Sequence, residues 1–169
     1  RPGSRDARLA EMLRVDHAGE YGPVQIYRGQ RAIFDRLPAR AGIAARLREM
    51  EDGEAAHLRT FDALLAERRV RPTLLSPLWN AAGFALGAAT ALMGEEAAMA
   101  ATAAVEDVIE KHYADQAEEL RDVEPALAET IIAFRNDELH HKETAEAHGA
   151  EAAPGYPLMR LVIQAGCRA

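Results

Sequence analysis

Two Glu-x-x-His motifs constrain this 169-residue chain more than any other feature. They are Glu54-Ala55-Ala56-His57 and Glu138-Leu139-His140-His141. On a helix, positions i and i+3 share a face, so each motif can present a carboxylate and an imidazole to one point. Two such motifs are only a weak excess over chance in a chain with 18 glutamates and six histidines. The glutamates that precede them carry more weight. Glu20 stands 34 residues before Glu54, and Glu106 stands 32 before Glu138. Each half of the chain therefore spells a helix with one Glu, a turn, and a helix with Glu-x-x-His. From Glu20 to the turn near Leu37 is about 25 Å of helix, and from Gly42 to His57 about 22 Å. The intervals from Glu106 to Asp122 and from Ala126 to His141 match in the same way. Antiparallel packing then puts each lone Glu level with the Glu-x-x-His of the next helix.

Composition agrees with an all-α fold. Alanine, the strongest helix former, supplies 36 residues, while aromatics make up only 5%. No Asn-Gly or Asp-Gly separates two alternating apolar runs, so hairpin strands are not signalled. Periodicity and punctuation predict helices at about 6–36, 43–69, 77–94, 95–121, 126–148 and 158–169. Gly19, Gly22 and Pro23 fall inside the first and predict a local bend there. The length suits one domain over residues 1–169.

Two hairpins joined by the long connection from His57 to Glu106 would place four carboxylates and two imidazoles in one bundle core. Ferritin-like di-iron and di-manganese proteins are built this way as a class. Four carboxylates neutralise two divalent ions, whereas uncompensated they would cost several kcal/mol each or take up protons. Oxygen-rich ligands with one imidazole per ion suit Fe(II) or Mn(II). Cys167 is the sole cysteine, which excludes an intrachain disulfide and a cysteine-based zinc or iron–sulfur site. The competing reading is solvated glutamates on helix faces with unrelated histidines.

The net charge of −7 comes without any basic run, which argues against nucleic acid as a partner. Cysteine usage and the lack of a signal-peptide pattern predict a reducing, cytosolic compartment. From Pro72 to Gly94 the chain carries no charge over 23 residues. That segment is long enough to span a bilayer, but Pro77, Asn80, three glycines and many alanines make it weakly hydrophobic. Three readings stand: a buried, closely packed Ala/Gly-rich helix, an interfacial segment in one leaflet, and a true span.

The residues around the candidate ligands are more specific than the spacing. Leu13-Arg14-Val15-Asp16-His17-Ala18-Gly19-Glu20-Tyr21-Gly22 resembles the start of the demethoxyubiquinone hydroxylase family of ubiquinone biosynthesis. The resemblance continues through Arg69-Val70-Arg71-Pro72-Thr73, Pro77-Leu78-Trp79-Asn80 and Gly83-Phe84-Ala85-Leu86-Gly87-Ala88. Ala98-Met99-Ala100, Val105-Glu106, His112-Tyr113, Gln116, Phe134-Arg135, Asp137-Glu138-Leu139, His141 and 163–168 extend it over nearly the whole chain. It implies that the six ligands are Glu20, Glu54, His57, Glu106, Glu138 and His141, the same six that the spacing selects. By analogy with the fold class, Glu20 and His57 would cap one iron, Glu106 and His141 the other, and Glu54 and Glu138 would bridge. The implied reaction is hydroxylation, with O₂, of a polyprenylated benzoquinone ring carbon lacking its methoxy group. The resemblance also implies NADH or another external donor as the electron source, but no nucleotide-binding Gly-x-Gly-x-x-Gly follows a strand here. The expected partners are the polyprenyl quinone, a peripheral membrane surface, a lipid-binding accessory protein of the pathway and further copies of the chain. The expected location is the cytoplasmic face of a bacterial inner membrane.

Other residues carry open alternatives. Tyr113, two turns after Glu106, is either an electron or proton relay, the catalytic role assigned to it here, or a core tyrosine. Asp16, one turn before Glu20, either orients a ligand or lies on the helix surface. His17 is surplus to the six ligands, and His140 points some 100° away from His141 and is expected exposed. Glu110 is either solvated or a proton-delivery group. Trp79, Phe84, Leu86, Leu92 and Met93 form either a surface for a prenyl tail or ordinary core. Two other functions remain open: a ferritin-like ferroxidase or peroxidase, and a non-enzymatic quinone- or lipid-binding helical module.

Overall fold

The computed structural model describes residues 5–167, without the side chain of Ser76. Arg168, the last residue of the family-like C-terminal stretch, lies outside the described residues. Among those described there are six α-helices and no strand. They are α1 (Arg5–Phe34), α2 (Ala41–Glu67), α3 (Ser76–Met93), α4 (Glu95–Leu120), α5 (Pro125–Ala147) and α6 (Tyr156–Cys167). By its contacts the chain divides into two compact units, the first running through Ala89 and the second from Thr90.

Helix ends fall within two residues of the expected positions. Pro125 opens α5 where its missing N–H costs nothing. Gly149, at φ +86°, ends that helix in the left-handed conformation that a side chain disfavours. α6 starts at Tyr156, two residues before the sequence reading, because Pro157 is tolerated in a first helical turn. Gly19, Gly22 and Pro23, where a local bend is expected, all lie inside one unbroken 30-residue helix. The proline removes one backbone hydrogen bond, and the turns on either side carry the helix through.

In the first unit α1 packs on α2. Arg31 pairs with Glu51 near the turn, while farther along His17 pairs with Asp62 and the Arg14 guanidinium donates to the Arg71 carbonyl. That order of partners is an antiparallel register. α3 lies against α1 at backbone distance. A Cβ on Gly87 would stand 2.0 Å from the Ile26 carbonyl oxygen, and one on Gly29 would stand 2.2 Å from that of Phe84. Only glycine permits this approach.

The second unit is built on α4, whose residues from Ala97 to Asp107 are all buried. α4 and α5 are antiparallel too, since Lys142 reaches Asp107 while Arg135 reaches Glu110. α6 packs on α4. Both accessory helices keep an apolar outer face. On α3 it comprises Leu78, Trp79, Phe84, Leu92 and Met93, and on α6 Leu158, Leu161 and Val162. No helix is long and apolar enough to cross a membrane among the described residues, which removes the spanning reading of 72–94. Of the two that remain, α3 shows both traits: a glycine face pressed on α1 and an exposed apolar face.

Candidate metal centre

Each unit buries one carboxylate–imidazole triad. In the first, Glu20 projects from the middle of α1 and Glu54 and His57 from one face of α2. None is exposed beyond 3%. The His57 Nδ1 lies 3.6 Å from an oxygen of Glu20 and 3.6 Å from one of Glu54. In the second, Glu106 comes from α4 and Glu138 and His141 from α5, and all three are buried. His141 Nδ1 is 3.7 Å from a Glu138 oxygen. Within each triad the donor atoms all lie within 4.8 Å of one another.

These separations suit a metal better than a hydrogen bond. A good N–H···O bond closes to about 2.9 Å. Two donors each about 2.1 Å from one ion can stand as far as about 4.2 Å apart. Buried carboxylates of this number also need compensating charge. The donor set, two carboxylates and an imidazole in each triad with no thiolate, fits a hard or borderline divalent ion such as Fe(II) or Mn(II). The reading of these glutamates as solvated is overturned by their burial.

The remaining sequence candidates sort by burial. Tyr113 is buried on α4, with the His112 ring 5.8 Å from its own. Asp16 is buried, so the helix-surface alternative fails for it. His17 is buried but belongs to neither triad; its Nε2 meets Asp62 Oδ1 at 2.9 Å, and its ring stands edge-on to Tyr21. His140 is exposed as expected. Glu110 accepts a 2.7 Å bond from the Arg135 guanidinium, so it is ion-paired rather than merely solvated. Trp79, Phe84, Leu92 and Met93 are exposed, while Leu86 is half-buried.

Sequence reasoning passed over Asp107. This residue, 2% exposed, accepts hydrogen bonds from Lys111, Lys142, Arg160 and Gln164. Burial alone would raise its carboxyl, but the hydrogen bonds from Lys111, Lys142 and Arg160 outweigh that and hold it well below the usual carboxylate range. Two signals pointed to it: a lysine four residues on, at Lys111, and the fact that one of only two lysines in the chain sits beside His141. Glu51 was missed as well. It is held by both Arg28 and Arg31, at the turn end of the first hairpin.

Comparison with known proteins covers almost the full chain. The family model for ubiquinone biosynthesis protein COQ7 matches residues 7–169. A 3-demethoxyubiquinol 3-hydroxylase from Rhodospirillum rubrum is 51% identical over 162 residues, covering 96% of this chain and 75% of the relative. The mouse NADPH-dependent 3-demethoxyubiquinone 3-hydroxylase, mitochondrial, is 47% identical over 167 residues, with the same coverage of both chains. The 5-demethoxyubiquinone hydroxylase, mitochondrial, of Saccharomyces cerevisiae is 40% identical over 180 residues, covering 95% of this chain and 74% of that one.

Proposed function

The chain belongs to the ubiquinone biosynthesis protein COQ7 family, and from that premise we propose that it hydroxylates the ring of a demethoxyubiquinol as a di-iron monooxygenase. The observation that carries this reading is the coincidence of two buried triads with the six expected ligand positions, in a chain matched by the family over nearly all its length. Glu20, Glu54 and His57 together with Glu106, Glu138 and His141 would hold two ions, working as one ferritin-like domain. Four carboxylates against two divalent ions leave no net charge to bury. Bound iron would supply the activation of O₂ and the transfer of one oxygen atom to the ring.

The overall balance sets what the protein must otherwise do. Ring C–H, O₂, two electrons and two protons give C–OH and water. The chain needs an external electron donor, and the mouse relative's name gives NADPH in that role. Tyr113, buried two turns along α4 from Glu106, is our candidate for passing a proton or electron toward the centre. Its hydroxyl can give up or regain a proton without moving the helix. Burial of the triads excludes bulk water from the donor atoms.

A polyprenyl quinone resides in the bilayer, so the protein must meet it at the membrane surface. The exposed apolar residues of α3 supply a contact for such a substrate and favour it over the small inorganic substrate of a ferroxidase. Peripheral attachment to the cytoplasmic face of a bacterial inner membrane follows from the same reading. The family resemblance adds a lipid-binding accessory protein of the pathway and further copies of the chain as proposed partners.

The test is anaerobic loading with Fe(II), followed by reductant, ¹⁸O₂ and a demethoxyquinol. A product heavier by one ¹⁸O atom, with about two irons per chain, supports the reading. Iron oxidation with no labelled quinone would instead assign a ferroxidase. Absence of metal would leave a quinone-binding module.

A further inference from the structure

Asp107 follows Glu106 on α4, and Lys142 follows His141 on α5. The Lys142 ammonium donates to Asp107 Oδ1 at 2.6 Å. This ion pair therefore ties the two helices together at the level of their candidate ligands. A single residue step turns a helix by about 100°, so the pair lies beside the ligand face rather than on it. The other carboxylate oxygen accepts from Lys111 at 2.6 Å, from Gln164 at 2.8 Å and from Arg160 at 3.2 Å. Arg160 and Gln164 stand one turn apart on α6, so one carboxylate gathers α4, α5 and α6.

A cross-link at this place does more than add stability. Sliding α5 along α4 by one residue would carry His141 about 1.5 Å from its place opposite Glu106. That shift is large against the tolerance of a coordination bond, which is about 0.2 Å. Hydrophobic contact among the alanines of α4 resists such sliding weakly, because small side chains make shallow ridges. An ion pair at 2.6 Å whose carboxylate is buried resists it more strongly.

We propose that Asp107 is a positioning residue that holds Glu106 and His141 in metal-binding register and makes that register depend on a docked α6. This rests on reading Glu106, Glu138 and His141 as metal ligands. Asp107 touches neither substrate nor metal in this account; it acts through the two helices.

The test is Mn(II) titration of the full chain, read as free Mn(II) by electron paramagnetic resonance, with amide hydrogen exchange of α6 recorded alongside. Asp107→Asn is expected to weaken at least one metal position by about tenfold or more, the usual range for losing an outer support. Asp107→Glu should recover much of that affinity, since it keeps the charge. Arg160→Ala with Gln164→Ala should speed exchange in α6 and weaken metal binding by a smaller factor. Lys142→Met is the second probe, in case Asp107→Asn fails to fold, and it too should weaken binding. Wild-type affinity in a folded Asp107→Asn or Lys142→Met chain would overturn the proposal while leaving the metal ligands standing. If the wild type takes up no more Mn(II) than Glu106→Ala, the ligand reading itself falls and takes the proposal with it.

Discussion

The two halves of the molecule carry the same carboxylate–imidazole pattern but fasten their accessory helices by opposite means. In the first, α3 meets α1 through glycines, backbone against backbone, with no charge at the contact positions Gly29, Gly83 and Gly87. In the second, α6 reaches one buried carboxylate of α4 through Arg160 and Gln164, and Lys142 of α5 donates to the same carboxylate. Close packing of that first kind tolerates no added volume and is indifferent to pH. The ionic fastening tolerates modest changes of shape but fails when its charge is lost. A repeated motif therefore does not imply a repeated support.

The largest expected effect tests whether the halves are equal in chemistry. Glu20→Ala and Glu106→Ala remove corresponding candidate ligands and would leave the proposed dimetal site net positive. Each should lower hydroxylation by about 100-fold or more, with loss of iron measured by elemental analysis. Full activity in either variant would break the equivalence.

Gly87→Val comes next. Its Cβ would stand 2.0 Å from the Ile26 carbonyl oxygen, so α3 and α1 must separate. A loss of about 3 kcal/mol is expected in denaturant titration. Gly166→Ala on α6, with nothing within 4 Å of the added Cβ, should be neutral or slightly stabilising. Similar losses at both positions would erase the contrast between the fastenings.

Removing metal should destabilise the protein, because buried carboxylates then repel one another. Fe(II) or Mn(II) at 100 times its dissociation constant should restore about 2.7 kcal/mol, visible as a rise in Tm. An unchanged Tm through saturation would argue against a centre preformed in either half.

The two apolar faces can be compared by one charge each. Phe84→Glu on α3 should cost about 2.5 kcal/mol of insertion if that face enters the headgroup–acyl boundary. Liposome retention and activity on a long-tailed quinol should fall, with iron content and activity on a short-tailed analogue kept. Leu161→Glu reports the same for α6, and equal loss on both substrates would assign the mutated face to packing instead.

The smallest effect is the pH dependence of the ionic fastening. The Asp107 carboxyl is depressed in the folded chain, so its contribution is present above the unfolded pKa, about 3.9, and is lost as pH falls toward the folded value. Relative to Asp107→Asn, the wild type should gain about 2 kcal/mol from pH 5 to 8, and the gain should shrink below about pH 4. The deficit of Gly87→Val should not change over that range.

Much of this protein was legible before any coordinates. The helices followed from alanine content, periodicity and the prolines, because helix formation is local. The six candidate ligand positions were selected by spacing, because helical rise converts residue number directly into height. What the sequence left open was orientation about the helix axis and the approach of one helix to another. Nothing local told that Asp16 and His17 would be buried, or that Gly83 and Gly87 would face the α1 backbone rather than solvent. Nor did the order of residues reveal that Asp107 would gather, besides Lys111 one turn on, partners 35, 53 and 57 positions away. A charge network of that reach exists only once three helices have docked, since each bond is worth making only when burial has already removed the competing water.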